Sequence, residues 1–176
     1  MVLSPRILAY SSFLLMLATG LAVAQQVTVD VNRISDAGVG GKIGTVTITG
    51  GKGVTFRVEL TGLPKGQRGF HVHEKGDCSP AMKGGKMTAG IAAGEHYDPE
   101  GKRSHKGPSG VGHKGDLPLL NGTNKGIRQT VVAPRLKLDD IRGRSLVIHE
   151  GGDNYTDTPE NGGGRGRVAC GVIPTK

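Results

Sequence analysis

The stretch "IGTVTITGGKGVTFRVEL", residues 43–60, alternates apolar with polar or small residues on both sides of a Gly50-Gly51 break. A period of two sends every second side chain to one face of an extended strand, and Gly-Gly supplies a turn between two such strands. Ile43–Ile48 and Val54–Leu60 therefore read as β-strands. Short β-branched or alternating runs recur at Gln26–Val31, Arg68–Glu74, Arg128–Ala133, Arg144–Glu150 and Arg167–Ile173. Helical periodicity over ten or more residues is missing, and "LKLDDIRG" (136–143) allows one short turn of helix. The pattern predicts an antiparallel all-β domain, a β-sandwich or flattened barrel.

A chain of 176 residues fits one domain. Residues 1–24 carry one cation, Arg6, an apolar run, and Ala22-Val23-Ala24. That is the layout of a cleavable export signal, and Tyr10, Ser11, Ser12 and Thr19 interrupt a run already short for a membrane span. The expected mature domain is 25–176, in the periplasm or, alternatively, secreted, with no stable membrane insertion. Its net charge is +7, because the segment removes one cation and no acid from a total of +8. The excess suits an anionic partner. Nucleic acid is disfavoured, since aromatics are only 3% of the chain and no block of like charges occurs.

The chain has two cysteines, Cys78 and Cys170. In an oxidising compartment they tend to pair, closing a 93-residue loop that stabilises by roughly 4–5 kcal/mol in the chain-entropy picture. Two free buried thiols are the reading for a reducing compartment.

Ser79–Thr130 shows little strand signal before its end and Gly151–Gly166 is nearly all glycine and polar residues, and loops of such length are usually functional or disordered. The first holds His96, His105, His113 and Asp116; upstream, "GFHVHEKGDC" (69–78) places His71 and His73 on one face of a strand, with Phe70 and Val72 on the other. His149 ends another apolar strand, opposite in facing to Leu146 and Ile148. Three imidazoles and a carboxylate are a ligand set that would close a tetrahedral zinc site, which argues against a zinc hydrolase needing an open position. A metal-storage protein remains compatible with the histidines alone.

The blocks "GFHVHEKGDCSP", "HYDPEGKRSHKGPSGVGHKGDLP", "VVAPRLK", "SLVIHEGGDN" and "RVACGVI", in this order from Gly69 to Ile173, resemble the copper/zinc superoxide dismutases, specifically the exported bacterial kind. The family is itself a standard instance of the immunoglobulin-like, Greek-key sandwich, here with two long functional loops. The resemblance implies one copper and one zinc per chain: copper on His71, His73, His96 and His149, zinc on His96, His105, His113 and Asp116, with His96 shared. It implies Asp153 as the carboxylate that orients a histidine of each set, a Cys78–Cys170 disulfide, and Arg167 as the arginine that attracts superoxide. Asp153 read alone is an Asx-type turn residue, and Arg165 is a rival for Arg167. The implied activity is dismutation of superoxide to dioxygen and hydrogen peroxide by alternate reduction and reoxidation of copper, a defence against extracytoplasmic superoxide. Homodimer and monomer are both compatible. Glu95 departs from the family's usual glycine before His96, which puts the backbone there in question and adds a charge that would weaken anion attraction if it points inward. The sequons at Asn121 and Asn154 are expected to go unused.

Overall fold

The computed structural model describes residues 25–176; the export segment expected over residues 1–24 lies outside the described residues. The elements are β1 Gln26–Ser35, β2 Gly38–Gly51, β3 Gly53–Leu60, β4 Gly66–Arg68, β5 Phe70–His73, β6 Ala81–Lys83, β7 Lys86–Thr88, β8 Leu120–Gly122, β9 Ile127–Ala133, α1 Leu138–Ile141, β10 Ser145–His149 and β11 Arg167–Val172. Short 3-10 segments at Ile91–Ala93 and Glu160–Gly163 complete the set.

Seven strands form one antiparallel sheet in the order β5-β10-β11-β1-β2-β3-β9. The chain runs β1 to β3 as consecutive hairpins, crosses to the far edge for β5, and returns to pair β9 with β3. It then crosses again for β10 and β11, which closes against β1. These crossings are the Greek-key pattern. Alternation carries the apolar rows across the sheet: Val29 faces Val46 across the β1–β2 ladder, Val46 faces Val58, and Phe56 faces Val131. Phe56 of β3 and Phe70 of β5, near opposite ends of the strand order, meet edge to face with ring centroids 5.7 Å apart. The sheet is therefore curled onto itself as a flattened barrel around one core, and burial of that core supplies the main favourable term in folding.

The outer face of β5 and β10 is where the site lies. Every residue of these two strands is buried, although alternation leaves only Phe70, Val72, Leu146 and Ile148 for the barrel core. The long loops 74–119 and 150–166 cover the outer side and bury His71, His73 and His149 there.

Three departures from the sequence reading have simple causes. β1 and β2 extend past their apolar cores to Ser35 and back to Gly38, because ladder bonds need backbone rather than apolar side chains. The expected strand Arg68–Glu74 is divided at Gly69: Arg68 pairs with Leu120, whereas Phe70 pairs with Ile148. Residues 79–130 contain β6, β7 and β8 before β9 begins. β6 and β7 join through Gly84 (φ 59°) and Gly85 (φ 78°), a two-residue hairpin turn that needs positive φ at both positions. The Gly-Gly dipeptide was the available signal.

Candidate metal centre

β5 is the organising strand. Its residues pair with β10 on one edge, while the first loop docks against it through isolated bridges, His71 with Asp116 and His73 with His96. Val72 N donates to Gly115 O at 2.9 Å, and Tyr97 N donates to Val72 O at 2.8 Å. Backbone pairing thus delivers His96 and Asp116 to the strand that carries His71 and His73. The rings of His71 and His96 stack with centroids 3.9 Å apart, and His96 lies 5.2 Å from His105 and 5.3 Å from His113. His149 closes the other side, 4.8 Å from His71. All six histidines and Asp116 are brought together.

Five of the six rings have a nitrogen engaged by an acceptor. His71 Nε2 donates to Asp153 Oδ2 at 2.8 Å, and His105 Nε2 donates to Asp153 Oδ1 at 2.7 Å. His73 Nδ1 donates to Gly94 O at 2.9 Å, and His149 Nδ1 points to Arg165 O at 3.4 Å. Carbonyls and carboxylates only accept, so these contacts fix the tautomers of His71, His73 and His149 and leave lone pairs on their opposite nitrogens, whereas His105 holds a proton between two carboxylates. Among the described residues, Nδ1 of His71 and Nε2 of His73, His96 and His149 are buried without a hydrogen-bond partner, and Nδ1 of His105 and His113 meet only the Asp116 carboxylate.

A buried unsatisfied polar group costs about 1–3 kcal/mol, so four amount to a large share of the net stability of a domain, about 5–15 kcal/mol. A ligand that accepts lone pairs from all of them removes that penalty. Nδ1, Nε2 or carboxylate atoms of His71, His73, His96 and His149 lie within 4.8 Å of one another, as do those of His71, His96, His105 and Asp116. Asp116 Oδ1 sits 3.0 Å from Nδ1 of His96, 3.0 Å from Nδ1 of His105 and 3.3 Å from Nδ1 of His113. Four donors bonded at about 2.0–2.1 Å to a tetrahedral cation would stand roughly 3.3 Å apart, so these spacings fit zinc.

Burial pushes His71 and His73 well below the usual histidine range, with the His96 charge adding to it. Burial likewise lowers His96, and it depresses His149 to about 3 with help from His96 and Arg167. His105 goes the other way: burial opposes its charge, but hydrogen bonds to Asp116 and Asp153 outweigh it and raise the ring to about 9. Asp116 is held below the carboxylate range because His105, His113 and His96 outweigh its burial. One half of the cluster is thus neutral and cation-receptive, and the other is a proton-holding anionic pocket.

Asp153 sits between the two halves of the cluster. Its carboxylate bridges His71 and His105, and Oδ1 also accepts from Tyr155 N at 2.7 Å in an Asx turn. Gly162, at φ 68°, makes room: a Cβ there would lie 2.1 Å from Asp153 Oδ1. Arg167 is half-buried and donates through Nη1 to Gly90 O (2.7 Å) and through Nη2 to Gly94 O (2.8 Å). Its rival Arg165 has an exposed side chain and contributes only a carbonyl, to His149. Glu95 needs no glycine backbone; the positive φ, 77°, belongs to Gly94 before it. Its exposed side chain lines an open cleft of about 610 Å³ with Glu74, Asp98, His113 and Glu160, reaching His96. Cys78 and Cys170 form a disulfide inside a small apolar cluster with Ile34, Ala89, Ala93 and Val147. The roles of Gly90, Gly94 and Gly162 leave no mark in the sequence, because a carbonyl or an empty volume has no side-chain signature.

The profile of the family described as copper/zinc superoxide dismutase (SODC) matches residues 42–173. The chain is 49% identical over 163 residues to the "Superoxide dismutase [Cu-Zn]" of Escherichia coli K12, covering 90% of this chain and 94% of that protein. Against the protein of the same name from Brucella abortus, identity is 48% over 156 residues, covering 86% and 90%. Among solved structures, the Cu/Zn superoxide dismutase from Brucella abortus superposes with a TM-score of 0.82 at 48% identity, over 85% of this chain and 99% of that one. The solution structure of the monomeric copper, zinc superoxide dismutase from Salmonella enterica gives 0.75 at 47%, over 85% and 99%. With a family match across most of its length, and with two ligand-ready nitrogen clusters on the outer wall of its barrel, the chain belongs to the copper/zinc superoxide dismutase family.

Proposed function

We propose that this protein dismutes superoxide to dioxygen and hydrogen peroxide, with copper on His71, His73, His96 and His149 and zinc on His96, His105, His113 and Asp116. The observation that carries the assignment is the unpartnered buried nitrogen on each of His71, His73, His96 and His149, beside an Asp116 oxygen that lies within 3.3 Å of three ring nitrogens. His71 and His96 belong to both clusters by distance, but His71 has Nε2 committed to Asp153. His96 alone offers two: Nδ1 faces Asp116, and Nε2 has no partner. That favours His96 as the shared ligand.

Copper supplies the one-electron oxidation and reduction, and zinc, without redox chemistry of its own, supplies fixed positive charge. The protein supplies the rest. Asp153 holds one ring of each set in a fixed tautomer and orientation. Arg167, pinned by two carbonyls, keeps a guanidinium beside His73 and His149, where it attracts the anion and orients it by hydrogen bonding. His96 Nε2 is the atom at which a proton is taken up and passed to the departing product.

Residues 1–24 act in this reading as an export signal cleaved before Gln25, leaving a single domain in the periplasm. N-terminal sequencing of the extracytoplasmic protein tests it. For the activity, the metal-loaded chain is assayed against a superoxide source, with metal analysis and copper EPR. One copper and one zinc per chain, cyanide-sensitive dismutation, and an EPR change on zinc withdrawal are expected. Stoichiometric metal without dismutation would turn the reading to metal storage.

A further inference from the structure

The block Val131–Lys137 ends β9 and turns toward α1, and the ligand sets leave its arginine without a role. Arg135 is half-buried between the core residues Ala133 and Leu136. Its guanidinium donates to four backbone carbonyls: Nε to Pro108 O (3.1 Å), Nη1 to Gly112 O (3.0 Å), and Nη2 to Gly107 O (3.2 Å) and His113 O. All four acceptors lie between residues 107 and 113, the stretch that joins His105 to His113. Three glycines and a proline are among its seven residues, and it forms no strand or helix, so its carbonyls have no ladder to join. From the other side, Asp116 Oδ2 accepts from the N–H groups of Lys106 (3.1 Å) and Gly107 (3.3 Å). One cation thus gathers the loop's carbonyls while one anion gathers its N–H groups, and that anion's second oxygen is the one facing three ring nitrogens.

We infer that Arg135 is a positioning residue for zinc: its planar fork holds residues 107–113 in the conformation that presents His105 and His113 to Asp116 before a cation arrives. This rests on the zinc assignment proposed above. The role needs the guanidinium shape, since an ammonium has three donors around a point and cannot serve four carbonyls spread across a loop.

The test uses the metal-free full chain. Zinc affinity is measured by competition with a chromophoric chelator for the parent, Arg135→Ala and Arg135→Lys, and copper affinity is measured on the zinc-free proteins. Arg135→Ala is expected to weaken zinc roughly 10–100-fold, as losses of outer hydrogen-bond partners do, with copper changed by less than about threefold and Arg135→Lys recovering little. Cobalt in place of zinc should show an altered visible spectrum in both variants. Zinc affinities within about twofold of the parent in both variants, full recovery in Arg135→Lys, or equal losses for zinc and copper overturn the inference. Should Arg135→Ala not fold, hydrogen exchange of His113 N–H, bonded to Ser104 O at 2.9 Å, decides in Arg135→Lys: faster exchange is expected, and an unchanged rate overturns it. A parent chain that takes up no zinc would instead bring down the zinc assignment, and this inference with it.

Discussion

His73 and Arg167 are tethered to the same atom, the carbonyl oxygen of Gly94, which accepts from His73 Nδ1 at 2.9 Å and from Arg167 Nη2 at 2.8 Å. A metal-facing ring and the anion-facing guanidinium therefore share one backbone anchor, so any displacement of Gly94 moves both.

That anchor hangs on the disulfide. The segment from Cys78 to Gly94 is held to β11 by the Cys78–Cys170 bond and its small apolar cluster, and Arg167 also reaches Gly90 within it. Cys78→Ser with Cys170→Ser is expected to cost about 4–5 kcal/mol in the metal-free chain on the loop-entropy model, read by denaturant melts. Dismutation should fall further than metal content does, because the guanidinium loses its hold even where histidines still bind.

Replacing the bridge between the two sets should damage both. Asp153→Asn turns an amide N–H₂ toward a ring N–H of His71 or His105, two donors where the carboxylate accepted both. Metal affinity is expected to drop roughly 10–100-fold, measured by chelator competition. Gly162→Ala should reproduce part of this loss, since its methyl would occupy the space of Asp153 Oδ1 at a backbone angle disfavoured for alanine.

The metal-free chain should be sensitive to acid. His71, His73, His96 and His149 are all lowered in the fold, so below about 6.5 the unfolded chain binds protons that the native chain refuses, and stability falls with pH. The fall should run from about 6.5 toward the His149 value of about 3. His105 has the opposite sign: raised to about 9, it contributes stability that is complete below about 6.5 and lost as pH climbs through 9. Melting temperature against pH should thus peak near about 6.5, where the two limbs meet; a flat acid limb would refute the picture. Zinc binding near neutrality should release a proton from His105, visible as a buffer-dependent heat.

Glu95 is placed to slow an anion. It stands exposed beside His96 in a cleft with Glu74, Asp98 and Glu160, and its charge acts on Arg167. Glu95→Gln should raise the reaction rate about twofold to threefold at low salt, with the gain fading once the screening length shrinks to a few ångströms. No salt-dependent difference between the two proteins would refute it.

Much of the frame could be read from letters alone. Alternation set Phe70 and Val72 against His71 and His73, and the structure puts the first pair in the core and the second on the outer wall. What escaped depends on backbone. The reach of β1 and β2 beyond their apolar stretches comes from ladder bonds, and the roles of Gly90, Gly94 and Arg135 rest on carbonyls that every residue possesses. Nor could the sequence say that Glu95 would adopt an ordinary backbone, since the glycine-like conformation moved one place upstream to Gly94.

The alternation of β5 carries a final consequence. Four consecutive residues serve two incompatible environments, oil on one side and cations on the other, so the strand has no tolerance for a shift of frame. Deleting one residue between Gly69 and Glu74 would turn imidazoles into the barrel and a phenyl ring toward the ions, ruining interior and reaction centre in one stroke.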